Sequence, residues 1–110
     1  MNLQIDVQEK DKNAYHVTVS GEVDAYTAPE LRETITPLTK NEGINIVIDL
    51  AGVSYMDSTG LGVFIGLLKS VRANNGTLTL TGMSDRVTRL FEITGLNEVM
   101  EIDPAVRGGQ

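Results

Sequence analysis

The stretch Met56-Asp57-Ser58-Thr59-Gly60-Leu61-Gly62 joins two segments of different periodicity. Before it, Ile44, Ile46, Ile48 and Leu50 alternate with Asn45, Val47 and Asp49, which gives a strand with one apolar face and one mixed face. After it, Leu61, Phe64, Ile65 and Leu68 fall at i, i+3, i+4 and i+7, and Val71 extends the same stripe by a turn, so this segment is a helix. Ser58 stands where that helix begins. Its hydroxyl has two competing uses there: to accept a hydrogen bond from an orphan backbone N–H as the N-cap, or to carry a phosphate, which the partial positive charge of a helix start suits.

Working outward, Leu3, Ile5 and Val7 alternate with polar residues, as do Tyr15, Val17 and Val19, with the polar run Glu9 to Asn13 between them. This spacing predicts an antiparallel hairpin. Gly21-Glu22-Val23-Asp24 reads as a strand exit, and Thr27-Ala28-Pro29-Glu30 combines the spacing of a capping box with a proline in the first turn. A helix is expected from about Ala28, with Leu31, Ile35 and Leu38 as its buried stripe and Gly43 as its stop. Beyond the central helix, Asn74-Asn75-Gly76 closes it and Thr77 to Thr81 alternates as a short strand. Ser84 is then placed to cap a helix carrying Val87, Leu90 and Phe91, which Gly95 ends, and Val99 to Ile102 is the expected last edge strand. Strands separated by helices imply parallel pairing, so the expected class is α/β with a mixed sheet, mostly parallel and bearing an antiparallel N-terminal edge hairpin. In such folds binding sites lie beyond the carboxyl ends of the strands, which is where Asp57, Ser58 and Thr59 stand. Residues 1–103 form the expected domain, and 104–110 a mobile tail with nothing to bury.

A chain of 110 residues is one domain that can bury about 65% of the surface its unfolded form exposes. With 41% hydrophobic residues, no cysteine and no apolar run near the roughly 18 residues of a membrane span, it needs neither disulfides nor a bilayer. Its opening residues lack the basic and apolar regions of a signal peptide, so the expected location is the cytoplasm. A net charge of −6 opposes nonspecific attraction to nucleic acid or anionic lipid and points to a protein partner.

Enzyme chemistry finds little support. His16, the only histidine, lies on a polar-facing strand position, and without a cysteine or second histidine there is no His-based triad or zinc set to assemble. Gly60-Leu61-Gly62 lacks the third glycine of a dinucleotide fingerprint because position 65 is Ile, and no Walker lysine is present. Asp57 after a central strand could be a phosphoacceptor of the receiver-domain kind. That chemistry needs an acidic pair to hold Mg²⁺, and Asp6 stands alone on the first strand. Gly60, Gly62 and Gly66 within the first two turns of a helix each cost about 1 kcal/mol relative to alanine, a cost that close approach to the sheet or to a partner would offset.

Three blocks carry a family resemblance: Gly21-Glu22-Val23-Asp24; Asp49-Leu50 with Tyr55 to Gly62; and Leu90-Phe91-Glu92-Ile93-Thr94-Gly95-Leu96. In this order and spacing they resemble the STAS domain of bacterial anti-sigma factor antagonists, over residues 1 to 103, and most closely the antagonists of the general stress response of Gram-positive bacilli. The resemblance implies a STAS fold and a switch protein with no catalysis, cofactor or metal of its own. It implies that the unphosphorylated chain binds an anti-sigma factor that is also a serine kinase, which releases the sigma factor. It further implies that the kinase phosphorylates Ser58 to end the interaction, that a PP2C-type phosphatase reverses this, and that Asp24, Asp57, Ser58, Thr59, Gly60, Leu61 and Gly62 form the partner surface. The alternative is a STAS-like or flavodoxin-like module that senses a small ligand within a larger signalling complex.

Overall fold

The computed structural model describes residues 2–99 and 101–103. Strands β1 (Leu3–Asp11) and β2 (Ala14–Val23) form the hairpin; α1 (Ala28–Ile35) and a 3-10 turn (Thr36–Lys40) lead to β3 (Asn45–Met56). Helix α2 (Ser58–Ala73), β4 (Thr77–Thr81), α3 (Asp85–Thr94), a 3-10 turn (Leu96–Glu98) and β5 (Glu101–Asp103) follow. The five strands stand in chain order, β1-β2-β3-β4-β5, antiparallel between β1 and β2 and parallel thereafter. The mixed sheet with an antiparallel N-terminal edge is as expected. The hairpin is tighter than the polar run Glu9 to Asn13 suggests, because β1 continues to Asp11 and the Asp11 carboxylate accepts from the Asn13 N–H at 2.9 Å.

Alternation along the central strands sorts the sheet into two faces. Val17, Val19, Ile46, Ile48, Leu50, Leu78 and Leu80 are buried, and form one core with Leu31 and Ile35 of α1, Phe64, Leu67 and Val71 of α2, and Phe91 of α3. Phe64 and Phe91 meet edge to face with ring centroids 6.1 Å apart, which ties α3 to α2. The opposite face, with His16, Thr18, Val47, Asp49 and Thr79, is exposed or half-buried, so the helices cover one face alone. Full burial of each such Leu, Ile or Phe contributes about 1.5–3 kcal/mol. The α2 stripe is wider than the sequence pattern indicates: Val63 and Leu67 are buried as well, while Ile65 is half-buried.

Several expected boundaries move. The first helix does not run to Gly43: Pro37 has no N–H to continue the i→i−4 ladder, so α1 ends at Ile35 and the chain, with Thr36 still helical (φ −53°, ψ −43°), tightens into a 3-10 turn that leaves Leu38 half-buried. The capping box at Thr27 does not form. Thr27 already has helical backbone (φ −98°, ψ −22°), and its hydroxyl donates to the Glu22 carbonyl at 2.7 Å while accepting from the Asp24 N–H at 2.9 Å. Strand β3 runs six residues beyond Leu50, to Met56. Ser84 does cap α3, accepting from the Val87 N–H at 3.2 Å, and Gly95 ends that helix with left-handed backbone. The last strand begins at Glu101 because Val99 closes the preceding 3-10 turn; the tail expected at 104–110 lies outside the described residues.

Candidate functional site

The end of β2 is irregular, and that irregularity builds the site. Register with β3 shifts between Thr18 and Ser20 and again between Gly21 and Glu22, after which Val23 pairs with Met56. Gly21 makes the bend possible with φ +108°, and a Cβ there would lie 2.2 Å from the Asn2 carbonyl oxygen. Because Val23 and Met56 are partners, the residues that follow them, Asp24 and Asp57, leave the sheet side by side, joined by a 3.3 Å hydrogen bond from the Asp57 N–H to the Val23 carbonyl.

Each aspartate organises its own turn. Asp24 is 6% exposed, and its Oδ1 accepts from the Tyr26 N–H at 2.9 Å and the Thr27 N–H at 3.1 Å, which fixes the loop into α1. Asp57 has extended backbone (φ −122°, ψ −169°), and its Oδ1 accepts from the Thr59 N–H at 2.9 Å. Asp57 is therefore the N-cap of α2, and Ser58 is its first helical residue rather than its cap. The Ser58 hydroxyl is released from a structural task.

The seven residues of the expected partner surface divide by exposure. Ser58, Thr59 and Gly62 are exposed, Asp57 is half-buried, and Asp24, Gly60 and Leu61 are buried. Gly60 faces inward against the sheet, where a Cβ would come within 2.7 Å of both Met56 Cγ and Val23 Cγ1. Gly62 has open space at the same position. Of the close approaches expected of these glycines, the one to the sheet is made at Gly60 and not at Gly62.

Beside Ser58, Asp24 and Asp57 line a groove of about 370 Å³ together with Glu22, Ala25, Tyr26 and Tyr55. Tyr26 is 87% exposed and Tyr55 42%, so two aromatic rings stand at the surface next to three carboxylates. This arrangement suits a partner that presents cationic and apolar groups together. Sequence reasoning does not single out Tyr26, Ala25 or Glu22 as part of this groove; an aromatic residue in the short loop after a strand exit is the available signal. Among the described residues, no helix is long and apolar enough to cross a membrane.

The sequence matches the family model described as STAS domain over residues 4–108. It is 52% identical over 102 residues to a Listeria monocytogenes protein named anti-sigma-B factor antagonist, covering 93% of this chain and 90% of that one. A Staphylococcus aureus protein of the same name is 50% identical over 103 residues, covering 94% of each chain. Among solved structures, an anti-sigma factor antagonist from Mycobacterium paratuberculosis superposes with a TM-score of 0.83 at 25% identity, covering 96% of this chain and 88% of that one. The two-face sheet, the strand order and these matches lead to one conclusion: the chain belongs to the STAS domain family, among relatives named as anti-sigma-B factor antagonists.

Proposed function

We propose that this chain is an anti-sigma factor antagonist of the stress-response type, which binds an anti-sigma factor serine kinase when Ser58 is unmodified and releases it when Ser58 is phosphorylated. The observation that carries this reading is the placement of Ser58: exposed at the first position of α2, relieved of capping by Asp57, and beside an acidic groove edged by two tyrosines. The names of the relatives support the antagonist role.

The switch follows from local charge. An unmodified Ser58 is small and neutral, so a partner can cover it while its own cationic and apolar groups enter the groove at Asp24, Asp57, Tyr26 and Tyr55. Phosphorylation adds about −1.5 to −2 charges next to two carboxylates. At an interface that excludes water, a dianion left unpaired there costs on the order of 2–5 kcal/mol, enough to weaken the complex by about thirtyfold to several thousandfold. Thr59 and Gly62 present exposed surface to the partner, while Gly60 and Leu61 hold the turn from within. A PP2C-type phosphatase resets the switch, and the chain itself acts by binding, without catalysis.

Incubation with the cognate anti-sigma kinase and Mg-ATP tests the proposal. The expected result is one added phosphate by intact mass, mapped to Ser58, and loss of kinase binding by the modified chain. A chain that the kinase neither binds nor modifies would sink it.

A further inference from the structure

Gly62 and Gly66 are exposed on α2, and the space that a Cβ would occupy at each is empty. Internal packing, which accounts for Gly60, does not account for these two. They floor a groove of about 300 Å³ between α2 and the segment formed by α1 and its 3-10 turn. Arg32, Thr36 and Lys40 line one side and Ser70 the other, with Val63 and Leu67 at the base. Lys40 reaches across, its Nζ donating to the Ser70 hydroxyl at 3.5 Å. Among the described residues, the Arg32 side chain has no hydrogen-bond or ion-pair partner. Two cations therefore stand over a glycine floor in a chain whose net charge is −6.

We propose that this groove is a second docking site of the switch surface and that it seats an acidic segment of the anti-sigma kinase, whose backbone passes over Gly62 and Gly66 while its carboxylates meet Arg32 and Lys40. The inference rests on the switch reading given above. The groove begins four residues after Ser58 on the same helix, so one partner can span both. Absent side chains at 62 and 66 permit the close backbone approach that a passing segment requires. The charges also work as a pair of complementary signs: the groove at Asp24 and Asp57 asks for a cation and the groove at Arg32 and Lys40 for an anion. A bipolar surface of this kind fixes the orientation of the partner and rejects partners of uniform charge. An anionic membrane is disfavoured as the occupant because the net charge of the whole chain repels it.

The test compares the unphosphorylated wild-type chain with the double variant Arg32→Glu, Lys40→Glu and with Gly66→Leu, each checked for a native circular dichroism melt. Kinase affinity is measured by calorimetry at low and high salt. The expected result is a wild-type affinity that falls with salt, and a double variant at least about tenfold weaker at low salt with a shallower salt dependence, the acidic groove supplying what remains. Gly66→Leu should bind about tenfold more weakly at both salts, and the Gly62 and Gly66 amides of labelled wild-type chain should shift on adding kinase. If the wild type binds and is phosphorylated on Ser58 while both variants bind within twofold of it, the groove assignment is overturned and the switch reading stands. A kinase that neither binds nor modifies the wild type overturns both. Co-sedimentation of the chain with phosphatidylglycerol vesicles, lost in the double variant, would replace the acidic segment by a lipid surface and overturn the assignment of the occupant.

Discussion

The Asp57 carboxylate accepts from the Thr59 N–H at 2.9 Å across the residue that lies between them, so Ser58 stands at the start of α2 without holding it together. On the switch reading proposed above, structure and modification fall to adjacent side chains.

The separation is measurable by urea denaturation. Asp57→Ala should lose about 1 kcal/mol through the missing cap. Ser58→Ala should stay within about 0.5 kcal/mol of the parent, as expected of an exposed residue with no structural bond. Equal losses in the two variants would contradict the assignment of the cap.

Two of the three glycines of α2, Gly60 and Gly66, should respond to alanine with opposite signs. Gly60→Ala places a Cβ within 2.7 Å of Met56 and Val23 and should destabilise the domain by about 1–3 kcal/mol. Gly66→Ala meets nothing and should stabilise it by up to about 1 kcal/mol. Thermal melts of the two variants give the comparison directly, and a destabilised Gly66→Ala would mean that the outer face of α2 is less open than described.

Thr27→Val removes a buried hydroxyl that bridges the Glu22 carbonyl and the Asp24 N–H. The loss expected is about 1–3 kcal/mol, since the buried Asp24 N–H and the part-buried Glu22 carbonyl each lose this bond. Because the same loop presents Tyr26 and Asp24, kinase affinity should also fall. Calorimetry on the folded variant at low temperature would separate the binding effect from the stability effect, and unchanged affinity would show that the loop plays no part in recognition.

Phosphorylation should act locally. A phosphate on Ser58 gains roughly 0.3–1 kcal/mol from the helix start and loses a comparable amount to repulsion from Asp57, so the free domain has little reason to refold. Amide spectra recorded before and after modification should differ at residues 57–62 and near Asp24. Shifts spread through the sheet and α1 would indicate a global rearrangement instead. Ser58→Asp, which carries part of that charge, should be folded yet bind the kinase poorly.

The β3 to α2 transition was legible in the sequence because two strong periodicities meet there. The helix cap was less so: aspartate and serine are both good caps, and only the extended backbone at Asp57 decides between them. Pro37 broke a helix whose apolar spacing ran on to Leu38, and the local preference of a proline outweighed that pattern. The groove at Tyr26 and Tyr55 was hidden for a different reason. It depends on which residue of β2 lies opposite Met56, and the shifts near Gly21 alter that pairing by amounts that no local pattern reveals. The cationic groove depends likewise on how α1 and α2 lie against each other, a relation between segments far apart in the chain.

Strand order equal to chain order has a consequence for how the molecule comes into being. Each strand of the sheet joins the one made just before it, so no finished part has to open to admit a later one. Loops that close between successive elements cost less entropy than long-range pairings, and a chain of this kind can assemble progressively during synthesis. Pairing of β2 with β3 sets Asp24 beside Asp57 before β4 and β5 are added at the far side, so the part of the molecule that a kinase would meet is among the first to take shape.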